Sequence, residues 1–411
     1  MKKKLIILNY QKSIPTFINN IINEAVDDFE KVVLITRRLK VNDKVHKDAT
    51  LYQESRLFWF FALLTTFFLL FSRKSVTSII KAIKHKTFSF KFLKGHLVAL
   101  GASQLLYFRA KKYIKKYGQE NVSVLAIWFY AESLAAARLK KKFPAIKAIS
   151  LSHAFEIDEE RNTNALFLLN EFRHLYLDKI LFISSRKMET YKKRVATIYK
   201  SINLENCSLL YLGTFKSIPG RTTILNDGVL RLVSCSSVIK LKRLDLILDS
   251  LSKVSSFKVE WHHFGGGYDF ENIKSRAESI NNDLVSITLF GNTSNQEILT
   301  RYGSYNYNLF INVSTTEGVP VSIMEACSYG IPTLATDVGG TREIVSNETG
   351  YLVDKDVTPE ELEAIYEKHL KLSLNELNRI SDLCIEKWEK KFNGAVNYKQ
   401  LINLLKEEKT S

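Results

Sequence analysis

Residues 308–326 read Asn-Leu-Phe-Ile-Asn-Val-Ser-Thr-Thr-Glu-Gly-Val-Pro-Val-Ser-Ile-Met-Glu-Ala, and they are the most informative part of the sequence. Its apolar first part, Asn308 to Val313, predicts a buried parallel strand. Pro320 suits the first turn of a helix that follows, because the N–H that proline lacks would have no partner there. Strand, loop and helix in this order form the repeating unit of a parallel α/β sheet.

Two carboxylates stand eight residues apart in this unit, Glu317 in the loop and Glu325 in the helix. The start of a helix carries unpaired backbone N–H groups and about half a positive charge. The stretch Gly318-Val319-Pro320-Val321-Ser322 lies at this start and can therefore hold a diphosphate. Gly318 would let a ligand approach the backbone. This layout is typical of a sugar-nucleotide site.

The same stretch resembles the retaining GT-B glycosyltransferases of family 4 (glycosyl transferases group 1), whose hallmark is Glu-x7-Glu within an EGxPxxxxEA context. Glu317 and Glu325 match that hallmark, and the resemblance continues through 330–332, 336–345 and 350–353 in the family's order. Two glutamates at this spacing would alone indicate no more than the solvated face of a helix. The resemblance implies an α/β fold of two Rossmann-like, doubly wound domains that face a central cleft.

The resemblance also implies roles for individual donor-site residues. Glu325 would accept hydrogen bonds from the ribose of the nucleotide, and Glu317 would contact hydroxyls of the transferred sugar. The family usually places an arginine and a lysine on the diphosphate. Lys242 matches the lysine, but Ser237 stands where the arginine is expected, so that Arg243 or Lys240 is the substitute, or Lys242 acts with the helix end alone.

In the first half of the chain, residues 149–156 resemble the segment that carries the family's active-site histidine, with His153 in that position. The resemblance implies that His153 faces the sugar and the acceptor. Leu151 replaces the family's neighbouring arginine, and Glu156 replaces its aspartate. Ser184 and the pair Gly213-Thr214 also match family positions.

Neither a metal nor another cofactor is expected, and no protein nucleophile is assigned. The stretch Asp354-Lys355-Asp356 imitates a metal-binding DxD motif, but it falls beyond the donor signature. The run Gly265-Gly266-Gly267 lacks the spacing of a dinucleotide fingerprint and indicates a turn at a strand end near the nucleotide.

The length of 411 residues and the 45% hydrophobic content predict two globular domains. Strand and helix patterns alternate in both halves, and Pro219-Gly220 interrupts them, which places the linker at 215–221. We therefore predict an acceptor-binding domain at 1–214, a donor-binding domain at 222–385, and a helix at 386–411 that packs back on the first domain. Four scattered cysteines fit a reducing cytoplasm. The N-terminal Met1-to-Asn9 stretch predicts a first strand rather than a signal peptide.

The net charge of +16 is concentrated in the first half of the chain. Residues 1–214 hold 37 Lys and Arg against 17 Asp and Glu, whereas the remainder carries a small negative charge. We find no nucleic-acid-binding motif beside this charge, so nucleic acid is not an expected partner. The basic half therefore predicts contact with another anionic surface.

An apolar and basic insertion at about 57–96 makes a membrane the expected surface. Residues 57–71 carry no charge, but as a helix they would reach roughly 22 Å, short of the roughly 30 Å hydrocarbon core. Residues 73–96 add seven Lys or Arg and no acid, interleaved with Phe88, Phe90, Phe92 and Leu93. This pattern favours attachment to one leaflet, with a buried helix or a transmembrane span as alternatives.

The sequence thus predicts a retaining glycosyltransferase, peripheral on the cytoplasmic face of the plasma membrane. It would move a sugar from a UDP- or GDP-sugar to a lipid-linked glycan in surface polysaccharide assembly, such as lipopolysaccharide or capsule. The alternatives are a nucleotide-sugar epimerase, which the full donor signature disfavours, and a membrane-associated scaffold that has lost activity, which Ser237 and Leu151 favour.

Overall fold

The computed structural model describes residues 2–11, 14–37, 46–53, 66, 69–158, 162 and 167–407. The chain divides into two compact units. Unit 1 extends to Leu212 and includes the C-terminal residues from Val396, and unit 2 is Gly213–Ala395. Each unit contains a parallel sheet with helices packed against it, which confirms the predicted pair of doubly wound α/β domains.

The sheet of unit 1 is parallel throughout the described residues. Its strands are β1 (Lys4–Asn9), β2 (Lys31–Thr36), β3 (Ala49–Gln53), β4 (Val122–Ala126), β5 (Lys147–Ser152), β6 (Lys179–Phe182) and β7 (Cys207–Leu209), in the spatial order β3-β2-β1-β4-β5-β6-β7. Leu5 of β1 lies beside Val32 of β2 on one side and Ser123 of β4 on the other. Apolar runs such as residues 5–8 are fully buried, because helices cover a parallel sheet.

Seven α-helices accompany this sheet among the described residues before Leu212: α1 (Thr16–Val26), α2 (Arg73–Lys84), α3 (Phe90–Tyr117), α4 (Ala131–Lys142), α5 (Ala154–Ile157), α6 (Asn170–Tyr176) and α7 (Ser185–Ile198). Helix α4 is buried along most of its length, including the small side chains of 135–137. Small side chains allow α3 and the sheet to approach it closely, so α4 forms the centre of the unit's core.

The predicted membrane-associating insertion is only partly described, since 57–65 and 67–68 lie outside the described residues. Ser89 caps the start of α3 by accepting from the Phe92 N–H. The helical period then turns Phe92 and His96 into the core, whereas Phe88 and Phe90 are 43% and 83% exposed. Phe92 therefore belongs to the core and not to the exposed basic strip. No helix among the described residues combines the length and the apolar character that a membrane crossing requires.

The described sheet of unit 2 is also parallel. Its strands are β8 (Val229–Cys235), β9 (Lys258–Phe264), β10 (Val285–Leu289), β11 (Leu309–Asn312), β12 (Thr333–Thr336) and β13 (Gly350–Val353), in the spatial order β10-β9-β8-β11-β12-β13. The helices that alternate with them are α8 (Leu244–Leu251), α9 (Phe270–Ile280), α10 (Asn295–Ser304), α11 (Val321–Ser328), α12 (Thr341–Ile344) and α13 (Pro359–Leu370). Trp261 is fully buried at the centre, and its indole N–H donates to the Ser234 hydroxyl of β8 at 3.0 Å.

The predicted linker segment, 215–221, belongs to unit 2. Arg221 donates to Asp382 at 2.7 Å, and the Tyr329 hydroxyl donates to the Ile218 carbonyl at 2.9 Å. The Pro219-Gly220 pair thus marks a loop held on unit 2, and the units divide before it, at 212/213.

The C-terminal segment, predicted as one helix from 386, consists of α14 (Leu374–Lys391) and α15 (Gly394–Lys406). Helix α14 belongs to unit 2, and the chain enters unit 1 at Val396. The break lies at Gly394, where an added Cβ would stand 2.9 Å from the Thr214 carbonyl oxygen. The buried residues of α15 in unit 1 are Tyr398, Leu401, Ile402 and Leu405.

Candidate active site

The strand order of unit 2 reverses between β8 and β11, which are neighbours in the sheet although three helices and two strands separate them along the chain. Open parallel sheets bind ligands outside the carboxyl ends of their strands at such a point. The loops that leave β8 and β11 meet there. The Thr315 N–H donates to the Leu241 carbonyl at 2.9 Å and ties the two loops together.

Lys242 and Glu317 form an ion pair at this junction. The Lys242 ammonium donates to Glu317 Oε1 at 2.6 Å, and the Asn312 side-chain amide donates to the same oxygen at 3.2 Å. The two charged side chains are 23% and 10% exposed, so the pair is partly withdrawn from water. Both bonds reach Oε1, which leaves Oε2 without a hydrogen bond to the described residues. Glu317 is thus fixed in place and still has an oxygen available to a ligand.

A pair of glycines holds the loop of Glu317 from the other side. The Gly340 N–H donates to the Gly318 carbonyl at 2.6 Å. Gly339 has a φ of +57°, and a Cβ at this position would stand 1.9 Å from the Glu317 carbonyl oxygen. Only glycine fits so close an approach in the left-handed region. By contrast, a Cβ on Gly318 would meet nothing within 4 Å, so the loop is open on that side.

The four residues from Gly318 to Val321 lead into α11, as the sequence predicts. Pro320 stands at the N-cap position, and Val321, the first helical residue, is exposed. The backbone groups at this helix start therefore point out of the sheet's carboxyl edge, beside the Lys242–Glu317 pair.

Glu325 lies in the second turn of α11, and the Asn295 side-chain amide at the start of α10 donates to its Oε1 at 2.8 Å. Burial raises the pKa of Glu325 above its ordinary value, and the bond from Asn295 opposes this rise. Burial also raises the pKa of Cys235, the last residue of β8, to about 12, with the nearby Glu325 charge as a second cause. Glu325 therefore stands close to the end of β8, on the same side as Lys242.

The Arg243 side chain does not contact Glu317. Its φ is +53°, and its guanidinium donates to the Lys355 carbonyl just after β13. A part in diphosphate binding would require this bond to be exchanged. Lys240 is exposed, and its backbone N–H is bonded to the Tyr268 hydroxyl at 3.1 Å. Ser237, which stands where the family's arginine is expected, is exposed.

The run of three glycines forms the predicted turn after β9, and it packs on the loop that leaves β8. A Cβ on Gly265 would stand 1.9 Å from the Ser236 carbonyl oxygen, and one on Gly267 would stand 2.2 Å from the Val238 carbonyl oxygen. Side chains at these positions would displace the backbone of the loop that leaves β8. The turn therefore supports the position of residues 236–238.

In unit 1 the strand order reverses between β1 and β4, and a second polar cluster lies at that edge. The Trp128 indole N–H donates to Asn9 Oδ1 at 3.0 Å, and the Tyr10 N–H donates to Glu132 Oε1 at 2.7 Å. The His153 ring, just after β5, packs on the Trp128 ring with 4.4 Å between ring centroids. The predicted histidine is thus part of the carboxyl edge of unit 1.

Burial controls the ionisation of this cluster. It lowers the pKa of His153 to about 3, so that the imidazole is neutral near neutral pH. It raises the pKa of Glu132 to about 7, and it raises that of Glu156 well above its usual range. The Glu156 carboxyl accepts the His153 backbone N–H, whereas neither ring nitrogen of His153 makes a hydrogen bond of ordinary geometry with the described residues.

Several residues of these two clusters were not predicted. Asn312 and Asn9 end buried apolar strands, and a polar residue at the carboxyl end of such a strand is a signal that could have found them. Glu132 in the first turn of α4 follows β4 and carries the same signal. Asn295 carries none, because its contact with Glu325 depends on how α10 packs beside α11.

No group of three or more metal-ligating side chains occurs among the described residues. Asp354 and Asp356, which imitate a DxD motif, form a local turn in which the Asp356 N–H donates to Asp354 Oδ1 at 2.9 Å. The absence of a metal requirement stays a prediction.

Residues 223–382 match the family model described as Glycosyl transferases group 1. Unit 2 therefore contains a glycosyl transferases group 1 domain, which indicates a glycosyltransferase. The matched region contains Lys242, Glu317 and Glu325, and it lies within unit 2. The geometry of the β8–β11 junction therefore belongs to the matched domain.

Named relatives and solved structures agree with this assignment. The chain is 25% identical over 263 residues to the O-antigen biosynthesis glycosyltransferase WbnH of Escherichia coli, which covers 61% of this chain and 71% of that protein. The lipopolysaccharide outer core galactosyltransferase WaaB has the same fold, with a TM-score of 0.65 at 17% identity over 98% of this chain and 99% of that one. HepE of Anabaena, solved with UDP, gives a TM-score of 0.66 at 12% identity over the same shares.

Proposed function

We propose that this glycosyltransferase moves a sugar from a nucleotide-diphosphate sugar to a lipid-linked glycan, with retention of the anomeric configuration, in the assembly of a bacterial surface polysaccharide. The observation that carries the proposal is the Lys242–Glu317 pair at the β8–β11 junction, with Glu325 on the helix that follows. The relatives named for O-antigen biosynthesis support the pathway class. HepE, solved with UDP and with UDP-glucose, favours a uridine donor.

The donor would be held by groups of both signs. Its diphosphate would lie at the start of α11 and beside Lys242, where the helix dipole and the ammonium favour negative charge. An ammonium has three N–H donors, and the described residues use one of them, at Glu317. Lys242 can therefore donate to a phosphate oxygen without leaving Glu317. Glu325 would accept from the ribose hydroxyls, and Glu317 Oε2 from hydroxyls of the sugar.

The leaving diphosphate gains negative charge as the bond to the sugar breaks. Preorganised donors at such a position stabilise the transition state, and each contributes on the order of 3 kcal/mol. Lys242 and the backbone N–H groups of α11 are the groups placed to do so in unit 2. We propose front-face attack by the acceptor hydroxyl, guided by the leaving phosphate, with no protein nucleophile and no metal.

His153 would serve as a neutral hydrogen-bonding group for the sugar or the acceptor. Because burial holds its pKa at about 3, the ring would not supply a positive charge near neutral pH. A neutral imidazole has one donor and one acceptor nitrogen, which suits hydroxyl groups. The excess of Lys and Arg in residues 1–214 supports a peripheral site of action at the cytoplasmic face of the membrane.

The test is the anomeric configuration of the sugar that the protein first releases or transfers. Purified protein is incubated with UDP-, GDP-, ADP- and CDP-sugars, and proton NMR follows the reaction. We expect one nucleotide to support it and the product to keep the donor's configuration. Glu317→Gln should slow the reaction by about 10²–10³-fold, whereas Glu360→Gln, an exposed glutamate of α13, should not.

Three other outcomes would contradict the proposal. Inversion of the product would exclude retention. Exchange between two epimers of the nucleotide sugar would identify an epimerase. No consumption of any donor would support the scaffold hypothesis that Ser237 and Leu151 favour.

A further inference from the structure

Two adjoining cavities lie on the flank of unit 1, between α2, α4 and α6. Their volumes are about 360 and 160 Å³. They share Lys74, Leu169 and Phe172 as lining residues, so they are adjacent, and we treat them as two branches of one site. None of these residues belongs to the polar cluster around His153. We call this space the flank cavity.

The smaller branch is cationic. Arg138 and Lys141 of α4 and Lys74 of α2 line it. The Lys74 and Lys141 ammonium groups stand 5.7 and 5.9 Å from the centroid of the same Tyr176 ring, so both cations lie around this ring. Burial, followed by the Lys141 charge, lowers the pKa of Lys74. Such a pair is stabilised by an anion.

The described residues supply no such anion. Neither Lys74, Lys141 nor Arg138 forms an ion pair with a described carboxylate. Arg138 Nη1 is buried and has no hydrogen-bond partner among the described residues. The guanidinium lies over the Tyr107 ring, 4.6 Å from its centroid, and its Nη1 donor is left for an oxyanion to satisfy. The branch is therefore built for a phosphate or carboxylate group.

The larger branch has apolar and polar walls. Leu169, Phe172, Leu175 and Tyr199 form its apolar side, with Leu175 70% exposed at the rim, and its polar lining includes Arg73 and Lys74. The carboxylate that lines this branch, Glu171, is paired with Lys81 at 2.9 Å and so does not neutralise the smaller branch. An apolar side that adjoins a cationic end matches a ligand with an anionic head and a hydrocarbon chain.

Leu169, at the point where the branches join, has a φ of +50°. A leucine in the left-handed region is strained, and such strain tends to persist where a site requires it. Its conformation places the side chain in the lining of both branches.

We propose that the flank cavity binds a phosphate-headed lipid, with the phosphate at Arg138, Lys141 and Lys74 and the chain along Leu169, Phe172 and Leu175. The lipid would come either from the bilayer, as an anionic phospholipid, or from the carrier of the acceptor glycan. The second source rests on the proposed function, whereas the first does not.

Binding is measured by calorimetry on the full-length protein with farnesyl phosphate, farnesol and inorganic phosphate. We expect farnesyl phosphate to bind at least about tenfold more tightly than either part of it alone. Arg138→Gln combined with Lys141→Gln should lose this binding, and Lys142→Gln, a neighbouring exposed lysine that does not line the cavity, should keep it. Equal binding of farnesol and farnesyl phosphate, or full binding by the double variant, would overturn the proposal.

Leu175→Asp provides a second variant that does not depend on the cations. Because Leu175 is largely exposed, the substitution should leave the melting temperature unchanged, and it should weaken farnesyl phosphate about tenfold by placing a charge in the path of the chain. Undiminished binding would contradict the placement of the chain.

Two further arms separate the sources of the lipid. Co-sedimentation with phosphatidylcholine vesicles, with and without phosphatidic acid, reports on a bilayer lipid, and competition by undecaprenyl phosphate in detergent reports on a carrier. Loss of either signal in the double variant supports the proposal and names the source, and loss of neither overturns it. Stabilisation by UDP should be the same in the double variant and wild type, so that failure at the flank cavity is distinguished from failure at the donor site.

Discussion

Among single residues, Gly339 and Gly318 have different roles in the loop of Glu317. Gly339 packs against the loop, whereas Gly318 lies on its open side. A Cβ on Gly339 would collide with the Glu317 carbonyl, and its φ of +57° disfavours any other residue. We expect Gly339→Ala to lower the free energy of unfolding by about 1–3 kcal/mol through backbone strain, with the collision in addition. The measurement is the denaturant midpoint.

Gly318→Ala is the matched control for that variant. Its Cβ would meet nothing within 4 Å and no left-handed φ is required, so the melting temperature should stay unchanged. If a diphosphate lies against this backbone, the same substitution should still weaken nucleotide binding. Stable Gly339→Ala protein with normal nucleotide affinity would contradict the role given to the glycine pair.

We expect Glu325 to make nucleotide affinity depend on pH. Burial raises its pKa, so its carboxyl gains a proton at a higher pH than an exposed glutamate. The proposed ribose contact needs the ionised acceptor, and affinity should therefore fall as the pH is lowered through that raised pKa. Calorimetry between about pH 8 and pH 5 should show that nucleotide affinity falls more steeply in wild type than in Glu325→Gln. Parallel profiles would mean that another group governs the dependence.

At the scale of elements, α15 is tied to α1's end by charge as well as by its apolar face. Asp28 accepts from Lys399 and Lys406, each at 2.7 Å, and the Ser123 hydroxyl donates to the Leu405 carbonyl at 2.6 Å. The hydrogen bond from Lys399, followed by that from Lys406, lowers the pKa of Asp28. The C-terminal helix is thereby part of unit 1 although it follows unit 2 along the chain.

Asp28→Asn tests this attachment. An acid with a lowered folded-state pKa contributes stability that is present above its unfolded pKa and is lost as the pH falls through the folded value. Exposed lysine partners limit the effect to about 1 kcal/mol or less. We expect the variant to melt below wild type near pH 7, and the difference to shrink as the pH falls below about 4 and to vanish below the lowered pKa of Asp28. Amide exchange should rise in 394–406, and a difference that persists in acid would contradict the ion pairs as its cause.

The sequence predicted these elements where a period or a strand end carried the information. The strand, loop and helix around Glu317 lie within a residue or two of their predicted bounds, since an apolar run, a loop and a proline mark them. The helical periodicity of 386–406 does not indicate the break between α14 and α15, because the break depends on the contact of Gly394 with Thr214. The sequence groups Phe92 with the basic strip, whereas the structure buries it. The start of α3, which Ser89 caps, determines which side chains face the core, and the sequence pattern does not mark that start.

The same reasoning explains what was predicted of the candidate site. Glu317, Glu325 and Lys242 follow strands β8 and β11, and topology brings such positions together. The direction of Arg243 follows from a left-handed turn at its own backbone, which no pattern in the sequence marks. Asn295 requires the packing of two helices, and the sequence does not specify that packing.

At the scale of the whole molecule, two units of the same architecture carry different chemistry at corresponding edges. Unit 2 gathers Lys242, Glu317 and Glu325, in agreement with an anionic ligand beside a helix start. Unit 1 gathers a neutral histidine and two buried carboxyls whose pKa values are raised. It also carries the excess positive charge and the flank cavity. We interpret unit 2 as the donor unit and unit 1 as the unit that meets the acceptor and the membrane.

The measurement that tests this account most directly is the thermal stabilisation of the full-length protein by UDP, GDP, ADP and CDP, compared between wild type, Glu325→Ala and the exposed control Glu360→Ala. A ligand at a hundred times its dissociation constant should add about 2.7 kcal/mol to the free energy of unfolding. We predict stabilisation by one nucleotide, with UDP favoured, that disappears in Glu325→Ala and persists in Glu360→Ala. No stabilisation by any nucleotide, or equal stabilisation of Glu325→Ala, would contradict the donor site at the β8–β11 junction.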